Sequence, residues 1–269
     1  MIERSPILTI VCHIILIVGA IIVCAPLYFA FVAGSHTGQA IQQIPMPVLP
    51  GDMFLENLAT AWETADFGQS FLNTLIVTSG IVVGKIVLSI LAGFAITYFR
   101  FPFRLTAFWL IFMSLMLPVE VRILPTYESV ADVAGPIRWL MDITGISFLI
   151  EMLTGYTIDA RFNWNLVNTY PGLTLPLIAS ATAVFLFRQF FMTVPEDLCE
   201  AAKLDGTTPM KFLRDILLPL SLPNIAALAI ILFVYGWNQY LWPLLFTTQK
   251  DMMTVIIALK GLMPGPNDP

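Results

Sequence analysis

Lys85 lies in the middle of a long apolar run, SGIVVGKIVLS (79–89). An ammonium group near mid-bilayer is costly and ordinarily faces a protein interior or a water-filled cavity. Two chemistries suit it there: pairing with a neighbouring carboxylate or backbone carbonyl, or contact with a polar solute in transit. With Gly80 and Gly84 it nearly mimics a phosphate-binding loop. That loop needs four residues between its glycines and a hydroxyl directly after the lysine. Here the spacing is one residue short, Ile86 replaces the hydroxyl, and no strand precedes the run. Gly80 and Gly84 read instead as a small-residue contact between helices. A second polar group is Glu120 with Arg122, inside LMLPVEVRILPTYE (115–128), where Pro118 and Pro125 disrupt a helix. Arg122 either snorkels to water beside Glu120 or binds an anion, since its planar fork fits phosphate. A third is FVYGWNQYLWPLLF (233–246). Tyr235, Trp237, Tyr240 and Trp242 suit an aromatic belt at a membrane surface. Asn238 and Gln239 add amides that face a helix bundle, and aromatic faces beside amides also suit a polyol or sugar. The tentative solute path is therefore Lys85, Arg122, Trp237, Asn238, Gln239 and Tyr240.

Hydrolytic chemistry is poorly served. Neither G-x-S-x-G nor H-E-x-x-H occurs. Cys12, Cys24 and Cys199 show no paired spacing, so neither a disulfide framework nor a metal site follows. No catalytic residue is assigned. An intramembrane enzyme acting on lipids is a rival reading, but only Lys85 would serve it at mid-membrane.

The elements that carry these residues are membrane spans. Hydrophobic residues make up 58% of the 269-residue chain and charged ones 12%, with a mean hydropathy of +0.83. Soluble domains run near 25% charged. Spans are expected over roughly 7–33, 71–98, 105–127, 171–192 and 224–246. The first is far longer than the apolar core of a signal peptide and reads as an uncleaved span. Arg4, Arg100, Arg104, Lys203, Lys211 and Arg214 all fall in one set of connections, whereas 34–70 has no Lys or Arg. The positive-inside rule then places the N-terminus and 193–223 in the cytoplasm. The segment 118–170 is external, and 137–153 within it reads as an amphipathic helix on the outer interface. Trp139, Tyr156, Trp164 and Tyr170 fit an aromatic belt there. A net charge of −5 argues against a nucleic-acid partner.

One stretch, CEAAKLDGTTPMKFLRDILLPL (199–220), is built like the surface of a soluble protein. Thr193 with Glu196 has the spacing of a capping box, and Pro195 suits a first helical turn. Asp205-Gly206 ends a short helix, and Thr208-Pro209 starts another. Leu198, Ala201, Ala202 and Leu204 are available to pack, Phe212 and Ile216 share a face, and Pro219 and Pro223 close the segment before the next span. Such fixed length and capping suit either a well-closed loop or a docking element for a cytoplasmic partner, its charges setting register.

These residues resemble a family. EAAKLDG (200–206) followed by Ile216, Leu218 and Pro219 is similar to the EAA motif of binding-protein-dependent ABC importer permeases, E-A-A, three residues, G, nine residues, I-x-L-P. The resemblance extends over 1–135 and 169–263 through LMLPVEVRILPT, ATAVFLFRQFFMTVPEDL and YGWNQYLWPLL, and points to the carbohydrate-uptake group. It implies an all-α, polytopic transmembrane bundle of the type I importer permease (MetI-like) fold, one domain over 1–269. It implies sn-glycerol 3-phosphate as solute, with another sugar or polyol as the alternative. Partners would be a second permease subunit in a pseudo-symmetric pair, a homodimeric cytoplasmic ATPase and a periplasmic solute-binding protein. ATP and magnesium would belong to the ATPase, with no cofactor on this chain and no ATP hydrolysis by it. Glu200, Ala201, Ala202, Asp205, Gly206, Ile216, Leu218 and Pro219 would couple to that ATPase. The family has six spans against the five expected here, which suggests truncation after KGLMPGPNDP, and 136–168 resembles an insertion.

Overall fold

The computed structural model describes residues 6–117, 119–155 and 165–263, and the described residues form helices and connecting turns with no strand. The chain divides into two compact units, Met1–Phe67 and Gly68–Pro269, where one domain was expected.

The first unit holds α1 (Pro6–Gly34), α2 (Gly38–Ile41) and α3 (Phe54–Thr64). α1 is apolar all round, and the chain itself buries none of its most apolar window. Such a helix is made for lipid or for another chain. The polar turn after it is tied down by hydrogen bonds. The Ser35 hydroxyl donates to Val32 O at 2.7 Å and accepts from Gly51 N–H at 2.7 Å. The Asn57 amide donates to Gly34 O and His36 O at 3.0 and 2.9 Å.

The second unit is built on α4 (Phe67–Tyr98), 32 residues long. At about 1.5 Å per residue it spans roughly 48 Å, more than a bilayer core of about 30 Å. Gly80 and Gly84 bring it close to the 170–178 segment: a Cβ on Gly80 would lie 3.0 Å from Thr174 Cγ2, and one on Gly84 would overlap Ile178. That is the small-residue contact expected from their spacing.

The expected span 105–127 is not one helix. α5 (Arg104–Met113) passes into a 3-10 turn over Ser114–Met116, and α6 (Val119–Ala131) starts afresh. Leu117 is extended, φ −83° and ψ 116°, because the ring of the next residue, Pro118, excludes the helical conformation before it. Pro118 itself and the side chain of Glu120 lie outside the described residues. The amphipathic helix expected over 137–153 is two helices, α7 (Gly135–Ile143) and α8 (Ile146–Thr154), because Gly145 between them adopts φ +70°. Tyr156 and Trp164 lie outside the described residues.

The expected span 171–192 is a bent pair, α9 (Tyr170–Thr174) with a 3-10 turn over Leu175–Leu177, then α10 (Ala181–Thr193), at 50°. Ser180 leaves the helix at φ −140° and caps α10 by accepting from Ala183 N–H. Next come α11 (Glu196–Leu204), α12 (Pro209–Phe212), a π-helical turn over Leu213–Leu217 and α13 (Leu218–Trp237). From Pro209 to Trp237 the helix is unbroken, so the expected span 224–246 both starts earlier and ends sooner. Pro219 and Pro223 do not close the segment; the helix runs through them. Pro219 has no N–H, and its ring crowds the carbonyl four residues back. That carbonyl, of Asp215, lies inside the widened turn, where Leu218 N–H reaches back to Leu213 O. α14 (Leu241–Phe246) and α15 (Val255–Gly261) complete the unit.

Among the described residues, three helices are long and apolar enough to cross a membrane, or four if the bent pair counts as one span. Five were expected, because hydropathy sums across Pro118 and the Ser180 bend as if the backbone were continuous.

Two larger apolar clusters hold the unit, beside a small one of Ile96, Phe108 and Val184 on α4, α5 and α10. One joins α4 to α10 through α13 and centres on Phe94, Phe187, Phe191, Phe212 and Leu217. The other joins α4, α6, α9 and α14 around Ile81, Leu173, Trp242 and Phe246. Trp242 is therefore not a belt residue: it is 3% exposed, stacks on Phe246 at 3.9 Å and donates to Leu173 O at 3.2 Å. Tyr170 is likewise drawn inward, donating to Oδ1 of buried Asn73 at 2.7 Å. Trp139 stays exposed.

Candidate functional site

The first candidate is the elbow formed by α11, Gly206 and α12. α11 begins at Glu196 with Pro195 as its N-cap, and Glu196 and Asp197 face the positive end of the helix dipole. The expected capping box does not form, because the Thr193 hydroxyl turns back to Phe190 O at 2.7 Å. The helix stops at a Schellman motif. Gly206 N–H donates to Lys203 O at 3.0 Å and Thr207 N–H to Ala202 O at 2.9 Å. Gly206 stands at φ +66° with open space around it, so the backbone angle alone demands glycine. Thr208 then caps α12, its Oγ1 accepting from Lys211 N–H at 3.4 Å.

The elbow sorts its residues into two faces. Ala202, Phe212, Leu213 and Leu217 are buried, with Ile216 and Leu218 half-buried against the same cluster. Glu200, Ala201, Asp205, Gly206 and Pro219 are exposed. So are Leu198 and Leu204, which were expected to pack; Leu204 is 89% exposed. The sole described ion pair here, Arg214 to Asp215 at 3.8 Å, is solvent-exposed and contributes little. Hydrophobic packing and caps hold this elbow, not charge.

Tyr98, the last residue of α4, locks the elbow to the membrane helices and was not singled out by sequence. Its hydroxyl donates to Phe191 O at 3.1 Å at the end of α10. Its ring meets Phe212 edge-on at 5.4 Å and Phe94 at 5.5 Å. It also shares a side-chain hydrogen bond with Cys199 on α11. Burial pushes the Cys199 thiol up, with nearby Glu196 and Glu200 adding to the shift, against the opposing pull of Lys203 and Tyr98. The sequence signal for Tyr98 is slight: a polar-tipped aromatic at the end of an apolar run.

The second candidate surrounds Lys85, about 27 Å along α4 from its start. A lysine at the centre of a membrane helix costs about 2.5–3.5 kcal/mol on insertion scales. Lys85 is 8% exposed, and its ammonium sits 4.7 Å from the centre of the Tyr235 ring on α13. Arg122 on α6 is exposed. The structure does not bring the remaining predicted residues to this place. Trp237 is half-buried, 5.1 Å from Phe71 and 5.6 Å from Phe233. The Asn238 and Gln239 amides donate to Val234 O at 2.8 Å and Tyr235 O at 3.4 Å, closing their own helix end. Tyr240 accepts from Lys260, whose ammonium also lies over its ring. Lys260 was not singled out by sequence.

A helical unit with a capped elbow outside its membrane helices defines a class. The fold matches a solved bacterial ABC transporter involved in importing the acidic polysaccharide alginate, with a TM-score of 0.69 at 19% identity, covering 99% of this chain and 85% of that one. The family model described as "Binding-protein-dependent transport system inner membrane component" matches residues 85–264. This chain belongs to that family: it is a multi-pass membrane permease subunit of an importer. Curated relatives are named sn-glycerol-3-phosphate transport system permease protein UgpE. The one from Rhizobium meliloti (strain 1021) is 47% identical over 270 residues, 98% of this chain and 85% of its own length. That from Salmonella typhi is 47% identical over 269 residues with the same coverage. That from Agrobacterium fabrum is 46% identical over 270.

Proposed function

We propose that this subunit moves sn-glycerol 3-phosphate across the bacterial inner membrane by alternating access, paired with a second permease subunit. The observation that carries the coupling mechanism is the elbow welded to α13 as one helix from Pro209 to Trp237. A push that passes the capped turn at Gly206 into α12 meets no further break before it reaches the middle of the membrane. Glu200, Ala201, Asp205 and Gly206 form the exposed face that enters a cleft on a cytoplasmic ATPase. Small Ala201 permits close approach, and Glu200 and Asp205 set register. Ala202, Ile216, Leu218 and Pro219 act beneath that face, anchoring it to the bundle or carrying its helix onward. In this reading the N-terminus and 193–223 are cytoplasmic. A periplasmic binding protein delivers solute on the other side, and the ATPase partner uses ATP and magnesium.

The solute assignment rests on the relatives' names and near-full-length identity. The test is uptake of labelled sn-glycerol 3-phosphate in cells that lack the equivalent subunit and keep its partners. Restored uptake supports the assignment. A chain that reaches the membrane and assembles yet restores none sinks it.

A further inference from the structure

The level of α3 in the membrane is set at both of its ends. Its first turn is fastened to the end of α1, a helix long and apolar enough to cross a bilayer. The Phe54 ring lies 4.9 Å from that of Phe31, and the Asn57 amide donates to Gly34 O and His36 O at 3.0 and 2.9 Å. Its last turn carries Trp62, stacked at 5.9 Å on Phe67, the residue that opens α4. α4 is again long and apolar enough to cross, and only Ala65 and Asp66 separate α3 from it. The chain leaves the membrane at the end of α1 and re-enters it at the start of α4, so both ends of α3 are tied to one face of the bilayer. A rigid helix about 16 Å long, held in this way, lies at that face.

The helical period divides its surface into three strips. Phe54, Asn57 and Ala61 form a half-buried strip, the one that meets α1. Glu56, Thr60 and Glu63 form an exposed polar strip. Leu55, Leu58 and Trp62 form an apolar strip that its own unit leaves bare, at 76%, 49% and 52% exposure. Charge and size decide what covers it. The stretch 34–70 has no Lys or Arg and carries Asp52, Glu56, Glu63 and Asp66, so anionic headgroups do not draw it by charge. The attraction comes from burying apolar surface. A stable protein interface takes about 20–30 residues a side, and this strip offers a small fraction of that.

We propose that α3 is an interfacial helix whose partner is the lipid surface itself, with Leu55, Leu58 and Trp62 seated at the boundary between headgroups and acyl chains and the acidic strip turned to water. Such a helix sinks about 5–10 Å into that boundary, and tryptophan favours the same depth. The seat holds the end of α1 and the start of α4 at one level in the bilayer. The connection between these spans therefore rides on the membrane instead of projecting from it. The seating follows from the helix ends and the three strips. Only the choice of the outer leaflet rests on the topology proposed above.

The experiment uses the assembled transporter in lipid vesicles, its native cysteines replaced. Leu55→Cys, Leu58→Cys and Trp62→Cys on one strip, and Glu56→Cys, Thr60→Cys and Glu63→Cys on the other, each carry one fluorophore. Quenching is read with iodide in the water and with lipids bearing a nitroxide high on the acyl chain. Labels on the apolar strip are expected to be quenched severalfold more by the nitroxide lipid than those on the polar strip, and iodide is expected to give the reverse order. High salt leaves the pattern unchanged, because charge does not hold the helix. Leu58→Ser with Trp62→Ser lowers nitroxide quenching at position 55 severalfold. Equal iodide quenching of both strips without lipid quenching places α3 in water and overturns the proposal. Shielding of the apolar strip from both quenchers assigns it to a protein neighbour and also overturns it, as does shielding that develops only when the binding protein is added. In sealed right-side-out vesicles external iodide should quench the polar strip. If it does so only after iodide is admitted to the interior, the seat stands and the topology falls.

Discussion

Gly206 carries the sharpest single-residue requirement in the elbow. At φ +66° it closes the Schellman turn of α11, and nothing crowds its missing side chain. Alanine there costs about 1–2 kcal/mol from the left-handed backbone alone. Gly206→Pro cannot comply, because proline holds φ near −65°. Gly206→Pro is expected to abolish uptake while the chain still enters the membrane at normal abundance, and Gly206→Ala to lower uptake only partly. Equal uptake by Gly206→Pro would remove the docking role. Cys199 offers a chemical readout of the same place. Its raised pKa keeps it as the unreactive thiol at neutral pH, and thiolate forms only above the usual thiol range. Alkylation of Cys199 in the assembled protein should be slower at pH 7 than that of an unperturbed thiol and rise at higher pH. Tyr98→Phe removes the hydroxyl that pulls the thiol's pKa down while keeping the ring, so it should slow alkylation further at neutral pH.

The π-helical turn at Leu213–Leu217 sets the angle between the elbow and α13. It holds one more residue than an α-helical turn would, so deleting Arg214 rotates everything before it by about 100° around the helix axis. Ala202 and Phe212 would then swing off the α4–α10 cluster that buries them. Such a deletion should leave α13 in the membrane but eliminate uptake and co-purification with the ATPase. Retention of both would show that the wide turn only accommodates Pro219. Tyr98→Phe is gentler. It keeps the ring contacts with Phe94 and Phe212 and deletes the hydroxyl's bonds to Phe191 O and Cys199, so it should cost about 1–2 kcal/mol and leave most uptake intact.

For the whole molecule the orientation of the chain is the testable property. The proposed topology puts the exposed elbow and the acidic segment after α1 on opposite sides of the membrane. In a variant whose native cysteines are replaced, Leu204→Cys should react with an impermeant thiol reagent only from the cytoplasmic side. The assembled ATPase should protect it. A cysteine at exposed Asp52 should react only from the periplasmic side. Reaction of both from one side would refute the topology. The bare apolar surface of α1 also belongs to this scale, because the chain covers none of its most apolar window, a surface suited to lipid or to another chain.

The sequence by itself determined what depends on neighbours within a few residues or on composition. A 58% hydrophobic chain must be a membrane protein. Asp205-Gly206 and Thr208-Pro209 had to stop and start helices, since a cap is a hydrogen bond between residues three to five apart. The spacing of Gly80 and Gly84 likewise foretold a close helix contact. Tertiary structure decided whether apolar stretches became continuous helices. Proline broke the chain before Pro118 yet was absorbed at Pro219 by a widened turn, and hydropathy cannot distinguish these outcomes. It also decided which polar groups were already committed. Asn238 and Gln239 closed their own helix end, Trp242 was drawn into the core, and Lys85 on α4 met Tyr235, 150 residues later in the chain. Such pairings follow from how helices pack, and no local pattern encodes them.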